Sequence, residues 1–153
     1  TLNGGGANSY VWSNGVTNGV SFSPTLTAAY TVTGTAINGC TNTAVQSITV
    51  NALPPVTASA SNSVICFGNS TTLNGGGATT YSWTGGISDG VAFSPTVTTT
   101  YVVTGTNAVN GCTNTASKTI TVNALPTVTS NATNPIICFG GTTALNGGGA
   151  STG

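Results

Sequence analysis

The chain has 153 residues, no His, and only two charged side chains, Asp89 and Lys118. General acid–base catalysis by paired carboxylates and calcium binding by carboxylate clusters are therefore excluded. A single lysine also cannot supply the phosphate contacts that dominate nucleic-acid binding. The composition predicts a protein that is not an enzyme, holds no cofactor or metal, and has no nucleic acid among its partners.

Short runs of β-branched and aromatic residues recur along the whole chain. Such runs suit a pleated surface and argue against disorder, which is poor in these residues. No stretch approaches the roughly 18 consecutive apolar residues of a transmembrane helix. We therefore predict an all-β fold with no membrane span in this segment.

One motif occurs three times, as Leu2–Gly6, Leu73–Gly77 and Leu145–Gly149, at spacings of 71 and 72 residues. Six further residues of the first copy match the second at a spacing of 71: Tyr10, Trp12, Phe22, Pro24, Tyr30 and Gly34 match Tyr81, Trp83, Phe93, Pro95, Tyr101 and Gly105. Cys40 matches Cys112 at a spacing of 72, which places a one-residue insertion in the Asn-Gly turn before each cysteine. The sequence thus predicts tandem repeats of about 72 residues.

Prolines at residues 54–55 and 126 divide the chain into segment 1 (1–53), segment 2 (54–125) and segment 3 (126–153). In segment 2, alternation and turn residues predict seven strands. They are Val56–Ala60, Val64–Phe67, Thr71–Asn74, Thr80–Thr84, Val91–Ser94, Tyr101–Thr106 and Thr115–Val122. Seven short strands predict an Ig-like β-sandwich.

Segment 1 is expected to lack its first strands, and segment 3 to contain only the N-terminal ones. Either a longer tandem array or a subunit completed by a neighbour would account for this, and both arrangements predict an elongated rod. Strict alternation places Lys118 on the inner face, and we expect it at the frayed start of the last strand, where its stem can reach water.

Tyr81 and Trp83 lie two residues apart on one predicted strand, as do Tyr10 and Trp12, so each pair shares a face. The preferred interpretation is that the aromatic residues form the core of the sandwich. These predicted core residues are Trp12, Trp83, Tyr30, Tyr101, Phe22 and Phe93. A carbohydrate-binding module that uses exposed Tyr and Trp platforms is the alternative. The glycine runs are interpreted as flexible strand ends or tight bends.

Several separate motifs agree in order and spacing with a known family. They are Ile65–Leu73, Tyr81–Trp83, Thr99–Thr106, Asn110–Cys112 and Ile120–Pro126. In these residues the chain resembles the Ig-like and PKD-like repeats of giant cell-surface proteins in Bacteroidota. The resemblance implies export, commonly by type IX secretion, an extracellular or cell-surface location, and a role in an adhesin stalk or filament. Partners would then be other copies of the protein and surface glycans.

The four cysteines, without His or a CxxC spacing, predict disulfides rather than zinc. The first pairing considered is Cys66 with Cys112, leaving Cys40 and Cys138 with partners outside this sequence. In an Ig-like order, however, Cys66 and Cys112 lie at opposite ends. A bond from Cys112 to the equivalent of Cys66 in a neighbouring repeat is therefore the alternative, and Cys40 with Cys66 is disfavoured.

Asn69 and Asn131 each stand in a sequon and are candidate glycosylation sites, and the many Thr and Ser residues would suit O-linked sugars. A nearly uncharged surface offers little repulsion between copies, and open sheet edges favour strand addition. The sequence therefore predicts a self-assembling structural protein.

Overall fold

The computed structural model describes residues 1–149 and confirms the all-β class. Segment 1 contains β1 (Ser9–Trp12), β2 (Ala28–Thr35) and β3 (Thr41–Ile48); segment 2 contains β4 (Thr57–Ala60), β5 (Val64–Cys66), β6 (Thr71–Gly76), β7 (Thr80–Trp83), β8 (Ala92–Phe93), β9 (Thr99–Thr106) and β10 (Thr113–Asn123); segment 3 contains β11 (Val128–Ala132) and β12 (Leu145–Gly149). The chain forms two compact units, and the second begins at Pro54.

Segment 2 consists of two sheets, with strand orders β4-β6-β8 and β5-β10-β9-β7. Adjacent strands are antiparallel except β5 and β10, which run parallel. All seven strands predicted from alternation are present, and their ends differ from the prediction by at most two residues.

The core of segment 2 forms between these two sheets. Leu73 of β6, Val103 of β9 and Ile120 of β10 are fully buried, so both sheets contribute to it. Alternation along β10 places Ile120 inward with half-buried Ala116, as the period of two requires.

Lys118 lies on this inner face and is half-buried, but it is not at a frayed strand end. β10 begins at Thr113 rather than at Thr115, because Thr113 and Asn114 continue the ladder with β9. Lys118 is therefore in the middle of the strand, opposite Tyr101. The predicted position was wrong because the length of the partner strand decides where β10 starts.

The turn before Cys112 contains one residue more than the turn before Cys40, as the change in spacing predicts. In segment 1 the amide of Gly39 donates to the carbonyl of Ala36, three residues earlier, at 2.9 Å. In segment 2 the amide of Gly111 donates to Asn107, four residues earlier, at 2.8 Å. The extra residue thus widens the turn without disturbing the flanking strands.

Segment 1 is a single three-stranded antiparallel sheet, β1-β2-β3, whose core consists of Leu2, Trp12 and Tyr30. Segment 3 is a two-stranded antiparallel pairing of β11 with β12 in which Ala132 lies opposite Leu145. This register repeats the pairing of β4 with β6, where Ala60 lies opposite Leu73. The predicted extent of segment 3 includes residues 150–153, which lie outside the described residues.

Candidate functional site

The Tyr and Trp side chains of β1 and β7 face the core rather than the solvent. Trp83 is 6% exposed and Trp12 is 7% exposed, while Tyr81 and Tyr10 are half-buried. Sugar stacking requires a flat aromatic face open to water. These side chains therefore do not form the exposed platform that the carbohydrate-binding alternative requires.

The other aromatic residues pack in matching pairs in the two segments. Phe93 meets Tyr101 edge to face, with ring centroids 5.3 Å apart and an interplanar angle of 79°. Phe22 and Tyr30 repeat this contact at 5.2 Å and 64°. Tyr30 and Tyr101 are buried, and both phenylalanines are half-buried. Edge-to-face geometry is the arrangement that aromatic quadrupoles favour.

The only carboxylate of the chain joins the Trp strand to the Leu-Asn-Gly-Gly-Gly motif. Oδ1 of Asp89 accepts hydrogen bonds from the Trp83 indole at 2.8 Å and from the Gly75 amide at 2.7 Å. In segment 1, Oδ1 of Asn18 accepts the equivalent bonds from the Trp12 indole at 3.0 Å and from a glycine amide at 2.7 Å. Because the neutral amide of Asn18 accepts the same two hydrogen bonds as the Asp89 carboxylate, the role of Asp89 is structural. Sequence reasoning missed this role, although the matching position of Asn18 was an available signal.

Tyr10 of β1 and Tyr81 of β7 make the same two contacts: the hydroxyl is hydrogen-bonded to the backbone of one alanine, and the ring packs against one glycine. The Tyr81 hydroxyl donates to the carbonyl of Ala78 at 2.7 Å and accepts from its amide at 2.9 Å. The Tyr81 ring lies where a Cβ on Gly75 would be, so no larger residue fits there. The first glycine of the motif, Gly75, is therefore a site of close packing and not a flexible strand end.

Replacement of Asp89 tests its structural role. We expect Asp89→Ala to lower the free energy of unfolding by about 1–2 kcal/mol, because the indole and an amide lose their acceptor. Asp89→Asn is the matched control. Its free energy of unfolding should lie within about 0.5 kcal/mol of that of the parent, since Asn18 accepts the same hydrogen bonds in segment 1. Urea denaturation followed by Trp fluorescence measures both, and equal losses in the two variants would show that the carboxylate charge is required.

Burial of both indoles predicts a spectroscopic result. We expect blue-shifted Trp emission that acrylamide quenches weakly in the native chain and strongly in urea. Addition of oligosaccharides should leave the emission unchanged. Saturable quenching by a sugar would instead restore the carbohydrate-binding interpretation.

The fold separates Cys66 from Cys112 by the full length of β10. Cys66 ends β5 opposite Asn123, the last residue of β10, whereas Cys112 immediately precedes the first residue, Thr113. A strand of eleven residues spans roughly 35 Å, while bonded cysteines have Cα atoms about 4–7 Å apart. The Cys66–Cys112 pairing is therefore incompatible with this sandwich, because β5 pairs with the last three residues of β10.

The two thiols lie at opposite poles of segment 2. Asn114 donates to the carbonyl of Pro54 at 3.0 Å, so Cys112 is at the pole where the chain enters. Cys66 lies at the pole where β10 ends, and Cys40 and Cys138 are exposed. The bond from Cys112 to the Cys66 equivalent of a neighbouring repeat remains a prediction.

Peptide mapping of oxidised material under non-reducing conditions tests the separation of the thiols. We expect no peptide that links Cys66 to Cys112 within one chain, whereas links between different repeats or different chains are allowed. An intrachain Cys66–Cys112 peptide in folded protein would contradict the parallel pairing of β5 with β10.

The remaining predicted sites are superficial. Asn69 and Asn131 are both solvent-exposed, as a glycosylation acceptor must be. Within residues 1–149, no three His, Cys, Asp or Glu side chains group closely enough to hold a metal ion. The same residues contain no helix of sufficient length and apolarity to cross a membrane.

Comparison with protein-family models and with curated proteins gave no match.

One concave surface lies on segment 1. A groove of about 330 Å³ opens above the inner face of its sheet. Its lining includes Tyr10, Trp12, Val32, Gly34 and Ala44. Neutral polar side chains, among them Asn42, Thr43 and Gln46, complete the lining beside these apolar groups. Among the described residues, no charged side chain lines the groove.

Proposed function

We propose that this chain is non-catalytic structural material of an extracellular bacterial filament or adhesin stalk, built from tandem Ig-like repeats of about 72 residues and capable of self-assembly. The observation that carries the proposal is the recurrence of one hydrogen-bonded aromatic core. In segments 1 and 2 the buried Trp indole donates a hydrogen bond to the same side-chain position, Asn18 or Asp89. The matching residues of the two segments are 71 positions apart in the sequence. Repeated units without a reactive centre serve to span distance.

Side-chain chemistry supports this role. The single carboxylate accepts hydrogen bonds from an indole and a backbone amide, which is a structural task. With no His, the chain lacks the usual proton-transfer residue. The Trp residues that would form a glycan-binding platform are instead buried in the core. Shape and association therefore account for the sequence better than ligand chemistry does.

A surface with formal net charge +0 also favours association between copies. Repulsion normally keeps soluble proteins apart, and its absence lets apolar surface and open strand edges come together. Large exposed apolar residues occur on segment 2 itself, including Val109 at 94%, Val97 at 65% and Val64 at 60%. These residues give self-assembly a physical driving force.

The tandem Ig-like interpretation adds an extended rod to this proposal. Pro54, just before β4, contacts Asn114 near the start of β10, and β10 then runs eleven residues to the opposite pole of segment 2. A repeat that the chain enters at one pole and leaves at the other extends an array along one axis. This arrangement suits a stalk.

Immunogold electron microscopy of the native source cells, with antibody against segment 2, tests the function. We expect label at regular intervals along thin surface or extracellular fibres. Label confined to the cell interior, or to dispersed monomers in the medium, would contradict a stalk or filament role. Pre-immune antibody provides the control.

A further inference from the structure

Backbone hydrogen bonds in segment 2 join the part of the chain that enters the repeat to the part that leaves it. β5 runs parallel to the last three residues of β10, and every other strand pair within residues 1–149 is antiparallel. The Thr121 amide donates to the Ser63 carbonyl at 2.8 Å. The Phe67 amide donates to the Asn123 carbonyl, also at 2.8 Å. These two hydrogen bonds flank the paired residues.

The chain crosses segment 2 from one pole to the other. Asn114, near the start of β10, donates to the carbonyl of Pro54, so the chain enters where β10 begins. It leaves after Asn123, at the far end of this eleven-residue strand. A pull on both ends of the repeat therefore draws β5 towards the entry pole and β10 towards the exit pole. The two strands can separate only by sliding past each other along their length.

Sliding loads all the hydrogen bonds between β5 and β10 at once. The bonds of a parallel pair are evenly spaced along the strands, so the force is shared among them. Ile65 of β5 is only 6% exposed and belongs to the same buried cluster as Ile120 of β10, and half-buried Val122 packs against this cluster. Movement of β5 would draw Ile65 out of the core, so apolar burial opposes the pull as well.

We propose that the β5–β10 pair is a mechanical clamp, which lets segment 2 carry tension along its chain without unfolding. The load comes from the polypeptide on either side of the repeat, and no ligand is needed. This inference rests on the stalk role proposed above and specifies the contact that bears the load. Only residues of segment 2 take part in it.

Stretching single molecules of the full chain between handles at its two termini tests the clamp. The force passes through segment 2 and loads β5 against β10. Release of roughly 220 Å of chain identifies the unfolding of segment 2, since about 72 residues extend to about 260 Å and the folded repeat already spans about 35 Å.

A second pulling direction loads the same strand pair from one end. Handles are placed at Cys66 and the C-terminus, after Cys40→Ser, Cys112→Ser and Cys138→Ser leave one thiol. Cys66 lies opposite Asn123, so this pull separates the strands one hydrogen bond after another. We expect a rupture force roughly threefold lower at the same loading rate, because three paired residues no longer share the load. The same variant stretched from its termini is the control.

Two replacements of one residue isolate a single hydrogen bond of the clamp. Phe67→Pro and Phe67→Ala both remove a ring that is 50% exposed, but only proline removes the amide that donates to Asn123. At one constant force in the terminal pull, we expect Phe67→Pro to unfold roughly fivefold faster than Phe67→Ala, the effect of one lost hydrogen bond. The comparison of pulling directions needs neither variant, so it tests the clamp even if Phe67→Pro does not fold.

Equal rupture forces in the two pulling directions would overturn the clamp, as would equal unfolding rates of folded Phe67→Pro and Phe67→Ala. Either result would leave the stalk role standing, because labelling of fibres on native cells tests that role separately. Conversely, a force that depends on pulling direction, together with the absence of labelled fibres, would retain the clamp and reject the stalk.

Discussion

The structure depends on covering one face of a sheet that carries a buried Tyr and Trp strand. In segment 2, β4 and β6 close over β9 and β10, and Leu73, Val103 and Ile120 become fully buried. So small a domain has few other apolar residues to bury, and its stability is concentrated in this contact. The same sheet in segment 1 keeps Trp12 buried but leaves Val32 and Ala44 lining a groove.

Neutral polar side chains satisfy buried hydrogen-bonding groups in segment 2. The hydroxyl of Thr71, which is 2% exposed, donates to the Asn62 carbonyl at 2.8 Å and also contacts the Ser61 hydroxyl at 3.1 Å. Within the part of the chain that the structure describes, no buried side-chain nitrogen or oxygen lacks a hydrogen-bond partner. In a protein rich in Thr, Ser and Asn, hydrogen bonds between residues near one another in sequence can thus satisfy buried polar groups without ion pairs.

The sequence alone was enough to place the strands of segment 2 and the buried aromatic residues of the core, but not its fully buried aliphatic residues Leu73 and Val103. Alternation with a period of two and turn residues locate β4–β10, because these signals depend on residues near one another in the chain. The repeat likewise pointed to Trp83 and Tyr101, since large aromatic residues at matched positions need burial. Both inferences need only local pattern and the cost of exposing apolar surface.

Only the tertiary structure decided the contacts between distant residues. An Ig-like order already predicted that Cys66 and Cys112 lie at opposite ends, but only the structure shows that β5 pairs with the last three residues of β10. The length of β9 decides where β10 begins, and hence the position of Lys118. Asp89 reaches Trp83 and Gly75 through the path of a loop. In each case the deciding energy comes from packing and hydrogen bonds that exist only after the sheets have come together.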